Sequence, residues 1–158
     1  MKRVMLVTVV AAMVLARVPA LAQSGPCSTQ MLRGVWCMTC TGFTELSNLD
    51  PKAPKGTLVP FAGIGRGTID AEGQGAGKAV FNIAGTMIPV ELEESFKVNP
   101  DCTGEKTYTL KTPGGRSLPG KATAVYMPHG LEFRIMILVP GDVVSCEYRK
   151  MFNTLLPM

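Results

Sequence analysis

The sequence predicts an all-β fold: one eight-stranded antiparallel up-and-down β-barrel, preceded by a signal peptide. Three observations carry this expectation. The first residues form an apolar leader with a basic start. The rest of the chain shows no sustained 3.6-residue period. It consists instead of short β-rich runs separated by Gly- and Pro-containing turns.

The leader reads "MKRVMLVTVVAAMVLARVPALAQ". Lys2 and Arg3 supply a basic n-region. The apolar run from Val4 to Ala16 is shorter than the roughly 20 residues that span a bilayer as a helix. Ala20 and Ala22 place small residues where a signal peptidase reads them, so cleavage is expected after Ala22. The chain then divides into a signal peptide, 1–22, and one barrel domain, 23–158, with no membrane span once the signal is removed. The expected location is exported, either periplasmic or secreted.

The 158-residue chain carries 16 Lys and Arg against 12 Asp and Glu. Lys2, Arg3 and Arg17 leave with the leader, so the remainder is close to neutral and carries no electrostatic footprint for nucleic acid. All five cysteines, Cys27, Cys37, Cys40, Cys102 and Cys146, lie beyond the leader, and export makes disulfides the first reading. Five is odd, so at least one thiol is unpaired or pairs between chains. Homo-oligomerisation stays open. No Asn-x-Ser/Thr acceptor is present.

Strands are expected at 34–43, 61–70, 77–85, 89–98, 105–111, 121–127, 131–139 and 143–152, each rich in β-branched or aromatic residues or alternating in polarity. The connectors "DAEGQGAG", "NPDCTG", "TPGGRSLPG", "PHG" and "PGD" are turn chemistry. The one helical turn expected is in "PCSTQMLRG" (26–34), with Ser28 as its cap and Met31 and Leu32 laid across one barrel end. "SNLDPKAPKGTLVP" (47–60) reads as a rim loop or lid. Closing eight strands into a barrel removes exposed edges, and such a barrel either fills with side chains or holds one small ligand. An open sandwich is the alternative.

The stretch "FKVNPDCTGEKTYTL" reads as a hairpin. With Asn99 opposite Glu105, Val98 faces Lys106, Phe96 faces Tyr108 and Glu94 faces Leu110. This makes one mainly apolar face, while Lys97, Ser95 and Glu93 meet Thr107, Thr109 and Lys111 on a polar one. Pro100 and Gly104 shape the turn, and Asp101 caps its amides.

Three stretches, "CSTQMLRGVW", "GRGTIDAEGQGAG" and "FKVNPDCTGEKTYTL", resemble a family of small exported bacterial and fungal proteins that is similar to the allene oxide cyclase-like group of calycin-type barrels. The resemblance covers most of the chain beyond the leader. The Asn-Pro-Asp-Cys-Thr-Gly hairpin is its specific part. It implies an eight-stranded barrel with a central cavity for apolar, lipid-like or polyketide-like molecules, and a Cys27–Cys102 bridge. Trp36 departs from the tyrosine common at its position. Cys37, Cys40 and Cys146 look like additions. First and last strands of a closed barrel are neighbours, so Cys37 or Cys40 can meet Cys146. Cys37-Met38-Thr39-Cys40 is a poor redox motif, because on a strand positions three apart point to opposite faces.

Other chemistry is mostly excluded. "GQGAGKA" lacks the spacing and the Ser/Thr of a phosphate loop, and "GIGRGT" does not open a helix. His129 is the only histidine and lies in a turn, so no metal site or cofactor is expected. Glu94 shares a face with Val90, Leu92, Phe96 and Val98. An inward carboxylate there is the one weak catalytic candidate, with Arg134 as its partner if that side chain also turns in. The expected partner is a small apolar molecule held in the cavity by Trp36, Glu94, Phe96, Tyr108, Tyr126 and Phe133. Two rivals remain: a metal-independent cyclase or isomerase using Glu94, and a solidly packed protein-interaction module. A cavity of roughly 300 Å³ or more favours the first two over the third. Short strands with charges on one face argue against an outer-membrane barrel.

Overall fold

The computed structural model describes residues 25–152, and the expected signal peptide lies outside them. A 3-10 turn, Thr29–Leu32, leads into β1 (Gly34–Glu45), and a single helical turn, α1 (Leu46–Leu49), follows it. The remaining strands are β2 (Leu58–Ile69), β3 (Gln74–Ile83), β4 (Thr86–Val98), β5 (Thr103–Lys111), β6 (Ser117–Tyr126), β7 (Glu132–Ile137) and β8 (Val143–Phe152). Each strand pairs antiparallel with the next, and β8 returns to β1, closing the barrel. The open sandwich is thereby ruled out.

Strands β2 to β6 begin two to four residues earlier than the sequence suggests. Pro60 and Pro119, read as connector residues, lie inside β2 and β6, and Pro89, read as the first residue of its strand, is the fourth of β4. Pro60, Pro89 and Pro119 pair with Phe43, Val80 and Thr109. Each stands within the first four residues of its strand, near an end of the barrel where the ladder can lose one N–H donor. Strand length therefore does not set this barrel apart from a transmembrane one. Its polarity does. Lys78–Glu91, Lys111–Glu93 and Arg134–Glu147 pair on the outside, and the apolar core is inside. A membrane barrel carries its apolar band on the outside.

The β4–β5 hairpin keeps both faces read from the sequence, but its pairs are two residues off. Val98 meets Gly104, Phe96 meets Lys106 and Glu94 meets Tyr108. The loop is shorter than expected: Asn99 and Thr103 close it, with Cys102 N–H donating to Asn99 O at 3.0 Å. This is the three-residue hairpin loop whose last position is left-handed. Cys102 occupies that position, with φ 67°, where glycine is usual. Gly104 is a strand residue instead. A Cβ there would stand 2.1 Å from Lys97 O and 2.9 Å from the Tyr126 ring. Asp101 accepts from Thr103 N–H at 3.0 Å, as its turn position suggests.

The two barrel ends differ. At the base, the segment before β1 lies across the opening. Leu32 is buried there, Trp36 Nε1 donates to Leu32 O at 2.6 Å, and the Cys27–Cys102 disulfide ties the segment to the hairpin corner. At the other end, the mouth, α1 leans over the opening. Asn48 Nδ2 donates to Pro140 O at 2.9 Å and Asp142 Oδ1 at 3.0 Å, and Arg116 donates to Leu49 O. The connector expected as a lid thus carries one ordered turn, anchored to two other loops.

Candidate functional site

Most inward positions are buried and the rest partly buried, but the interior is not filled evenly. The base half is packed with aromatic rings. Phe133 lies at the centre, 4.9 Å from Trp36, 5.5 Å from Phe96, 5.1 Å from Tyr126 and 4.4 Å from Tyr148, centroid to centroid. The mouth half is lined by Phe81, Val90, Leu92, Leu110, Ile135 and other mostly aliphatic groups around a cavity of about 230 Å³. This is smaller than the roughly 300 Å³ set as a guide for a drug-sized ligand. It is larger than the cavity of about 150 Å³ that accommodates benzene.

This division corrects the expected ligand contacts. Trp36, Phe96, Tyr126 and Phe133 point inward as expected, but they pack on one another below the cavity. Of the six residues named from the sequence, Tyr108 alone lines it. The cause is height along the barrel. Trp36, Phe96, Tyr126 and Phe133 all stand within three residues of a strand end at the base. Arg134 is also reassigned: it lies outside, its side chain 65% exposed, between Glu132 at 3.6 Å and Glu147 at 3.4 Å.

Glu94 does point inward and is 8% exposed, but it does not face the cavity. It meets Lys106, which the sequence reading placed on the apolar face of β5 without assigning it a role. Lys106 is 2% exposed. Its Nζ pairs with Glu94 Oε1 and donates to the Tyr148 hydroxyl, which in turn donates to Glu94 Oε1 at 2.9 Å. Three rings surround the ammonium: Tyr148 at 4.8 Å, Tyr108 at 5.3 Å and Phe96 at 5.4 Å, favourable cation–π contacts in a dry site. Lys106 also lines the cavity, at its floor above the packed rings. Alternation along β5 carried the signal for it: Lys106 falls in step with the inward Tyr108 and Leu110.

Burial holds the Lys106 ammonium below the usual lysine range, partly offset by attraction to Glu94. Burial, then the Glu94 charge, pushes the Tyr148 phenol well above its ordinary value. Tyr108 is pushed up to about 12 by burial and then Asp142. Burial alone raises Tyr126, whose hydroxyl finds no hydrogen-bond partner.

Two disulfides are present: Cys27–Cys102 at the base and Cys40–Cys146 across the β1–β8 seam. Both cysteines of the second line the cavity. Cys37, three residues from Cys40, is on the opposite face and free, its thiol 3.4 Å from Arg149 O. His129 Nδ1 accepts from Leu131 N–H at 3.1 Å and holds its own turn. Among the described residues, no helix is long and apolar enough to cross a membrane.

Compared with models of protein families, with curated proteins and with solved structures, the chain matches none.

Proposed function

We propose that this is an exported barrel that binds one small apolar molecule in its mouth-side cavity. The observation that carries the reading is the contrast between the two halves. The base is plugged by aromatic rings and a disulfide-tied segment, while the mouth half leaves about 230 Å³ open between apolar walls. A solidly packed interaction module has no use for that space. Export fits the two disulfides, which persist in oxidising compartments. Membership of the allene oxide cyclase-like group is part of the same proposal and rests on the Asn99–Gly104 hairpin motif. An enzyme using Glu94 as its acid is less well supported, since that carboxylate pairs with Lys106 and does not itself line the cavity.

The test is native mass spectrometry of protein purified from its exporting host, followed by titration with small cyclic hydrocarbons. A co-purified small molecule, or saturable one-to-one binding that Leu92→Trp abolishes, is the expected result. Binding that Leu92→Trp leaves unchanged, or none by either method, overturns the proposal.

A further inference from the structure

The cavity reading leaves open what chemistry its occupant carries, and the floor addresses that. An ammonium has three N–H donors. Glu94 Oε1 and the Tyr148 hydroxyl take two from Lys106, and neither partner lines the cavity. Around the ammonium stand the rings of Tyr148, Tyr108 and Phe96, and of these Tyr108 lines the cavity. We propose that the third Lys106 donor selects a ligand with a neutral oxygen acceptor, a ketone, aldehyde, ester or ether, at the end that enters first. The inference rests on the ligand-binding reading and narrows it.

Charge argues for neutrality. Lys106 and Glu94 already cancel, and the other charged group in the lining, Asp142 near the mouth, is negative. A carboxylate ligand would bring another negative charge near Glu94 and past Asp142 with no added cation. It would also lose its hydration in an apolar chamber. An amine would meet Lys106 itself. A hydrocarbon would fill the walls and leave the third donor unpaired. A carbonyl oxygen satisfies that donor and adds no charge, and hydrogen bonds to charged groups are among the stronger ones.

Size fits the same class. A chamber between benzene-sized and drug-sized accommodates roughly ten heavy atoms. The preference has a diagnostic sign. In a purely apolar cavity a ketone binds less well than its parent hydrocarbon, because its oxygen loses water and gains nothing.

The experiment uses the oxidised, full-length exported protein and three probes on one ten-carbon monocyclic skeleton: limonene, carvone and perillic acid. Affinities are measured by competition at neutral pH. Carvone is expected to bind about tenfold or more tighter than limonene, with perillic acid no tighter than limonene. Lys106→Met combined with Glu94→Gln leaves no buried charge and is expected to remove the carvone preference while limonene still binds. The infrared carbonyl stretch of carvone bound to the unaltered protein gives a second readout, independent of any variant. It is expected below its value in hexane. Equal or weaker binding of carvone than limonene, a preference for the acid, a preference that survives the double variant, or an unshifted carbonyl band overturns the inference while leaving the cavity reading standing. Failure of all three probes to bind overturns both.

Discussion

Replacing Lys106 with methionine tests the buried charge cluster on which the floor of the cavity depends. The change keeps most of the side-chain length. It removes the ion pair with Glu94, the bond to Tyr148 and three cation–π contacts. Two unit charges about 4 Å apart attract by about 4 kcal/mol at an effective dielectric constant near 20. Removing one partner of a buried pair leaves the other uncompensated, at a typical cost of about 3–5 kcal/mol. Glu94 then keeps the Tyr148 hydroxyl as its hydrogen-bond donor. With a urea m-value near 2 kcal/mol/M, the midpoint should fall by about 2 M. The single tryptophan, Trp36, is buried in the base and reports unfolding by fluorescence. Adding Glu94→Gln should recover most of the loss, since an uncharged pair demands far less desolvation. A loss below about 1 kcal/mol for Lys106→Met, or a double variant as unstable as the single, would show that water reaches the pair and that the floor is not dry.

Tyr126→Phe removes a buried hydroxyl that has no partner, and it should leave stability unchanged or raise it by about 1 kcal/mol in the same urea assay. A loss above about 1 kcal/mol would mean that the hydroxyl has a partner after all. Alkali should unfold the protein steeply. Tyr126 and Tyr148 have raised folded values, so between about pH 10 and those values the unfolded state binds fewer protons, and stability falls by about 1.4 kcal/mol per pH unit for each. Lys106 works in the opposite direction. Its folded value is lowered, so stability gains from it as pH rises toward about 10.4 and stops gaining above. A urea-midpoint series from pH 7 to 12 should therefore bend downward near pH 10, and a flat profile would contradict the burial of both phenols. Opening the seam by Cys40→Ser with Cys146→Ser, which removes a link between residues 106 apart, should cost about 4 kcal/mol and raise the m-value as the unfolded chain expands. An unchanged m-value would count against the chain-constraint account.

Periodicity made the architecture readable and left the interior's contents unread. Alternation fixed which side of β4 and β5 turns in, and it does so whatever the register. That is why Glu94, Phe96 and Tyr108 fall inward although the pairing was two residues off. Register depends on the turn, and here the usual signal misleads. Gly104 looks like the left-handed residue, yet Cys102 holds that conformation while Gly104 accommodates the Tyr126 ring. Pro60 and Pro119 misled in the same way. Pro60, Pro89 and Pro119 punctuate the sequence but only mark where strands approach a barrel end.

Height along the barrel decides which inward side chains meet the cavity, and it follows from strand ends rather than from alternation. In an up-and-down barrel odd strands start at one end and even strands at the other. An inward residue's depth is therefore its distance from the nearest turn. Trp36 is the third residue of β1, Phe96 the third from last of β4, Tyr126 the last of β6 and Phe133 the second of β7, so all four converge on the base. Choosing ligand contacts by aromatic character selects the plug, because large rings are what fill a barrel end. The open half belongs to smaller side chains such as Val90, Leu92 and Ile135, and the boundary between the halves is where Lys106 and Glu94 meet. A buried ammonium at that boundary has a physical consequence. On the proposal above it presents a polar donor to a mostly apolar chamber, and it does so without net charge because Glu94 pairs with it. The proposed selectivity then depends on one side chain that sequence alternation placed inside and residue type alone would have placed outside.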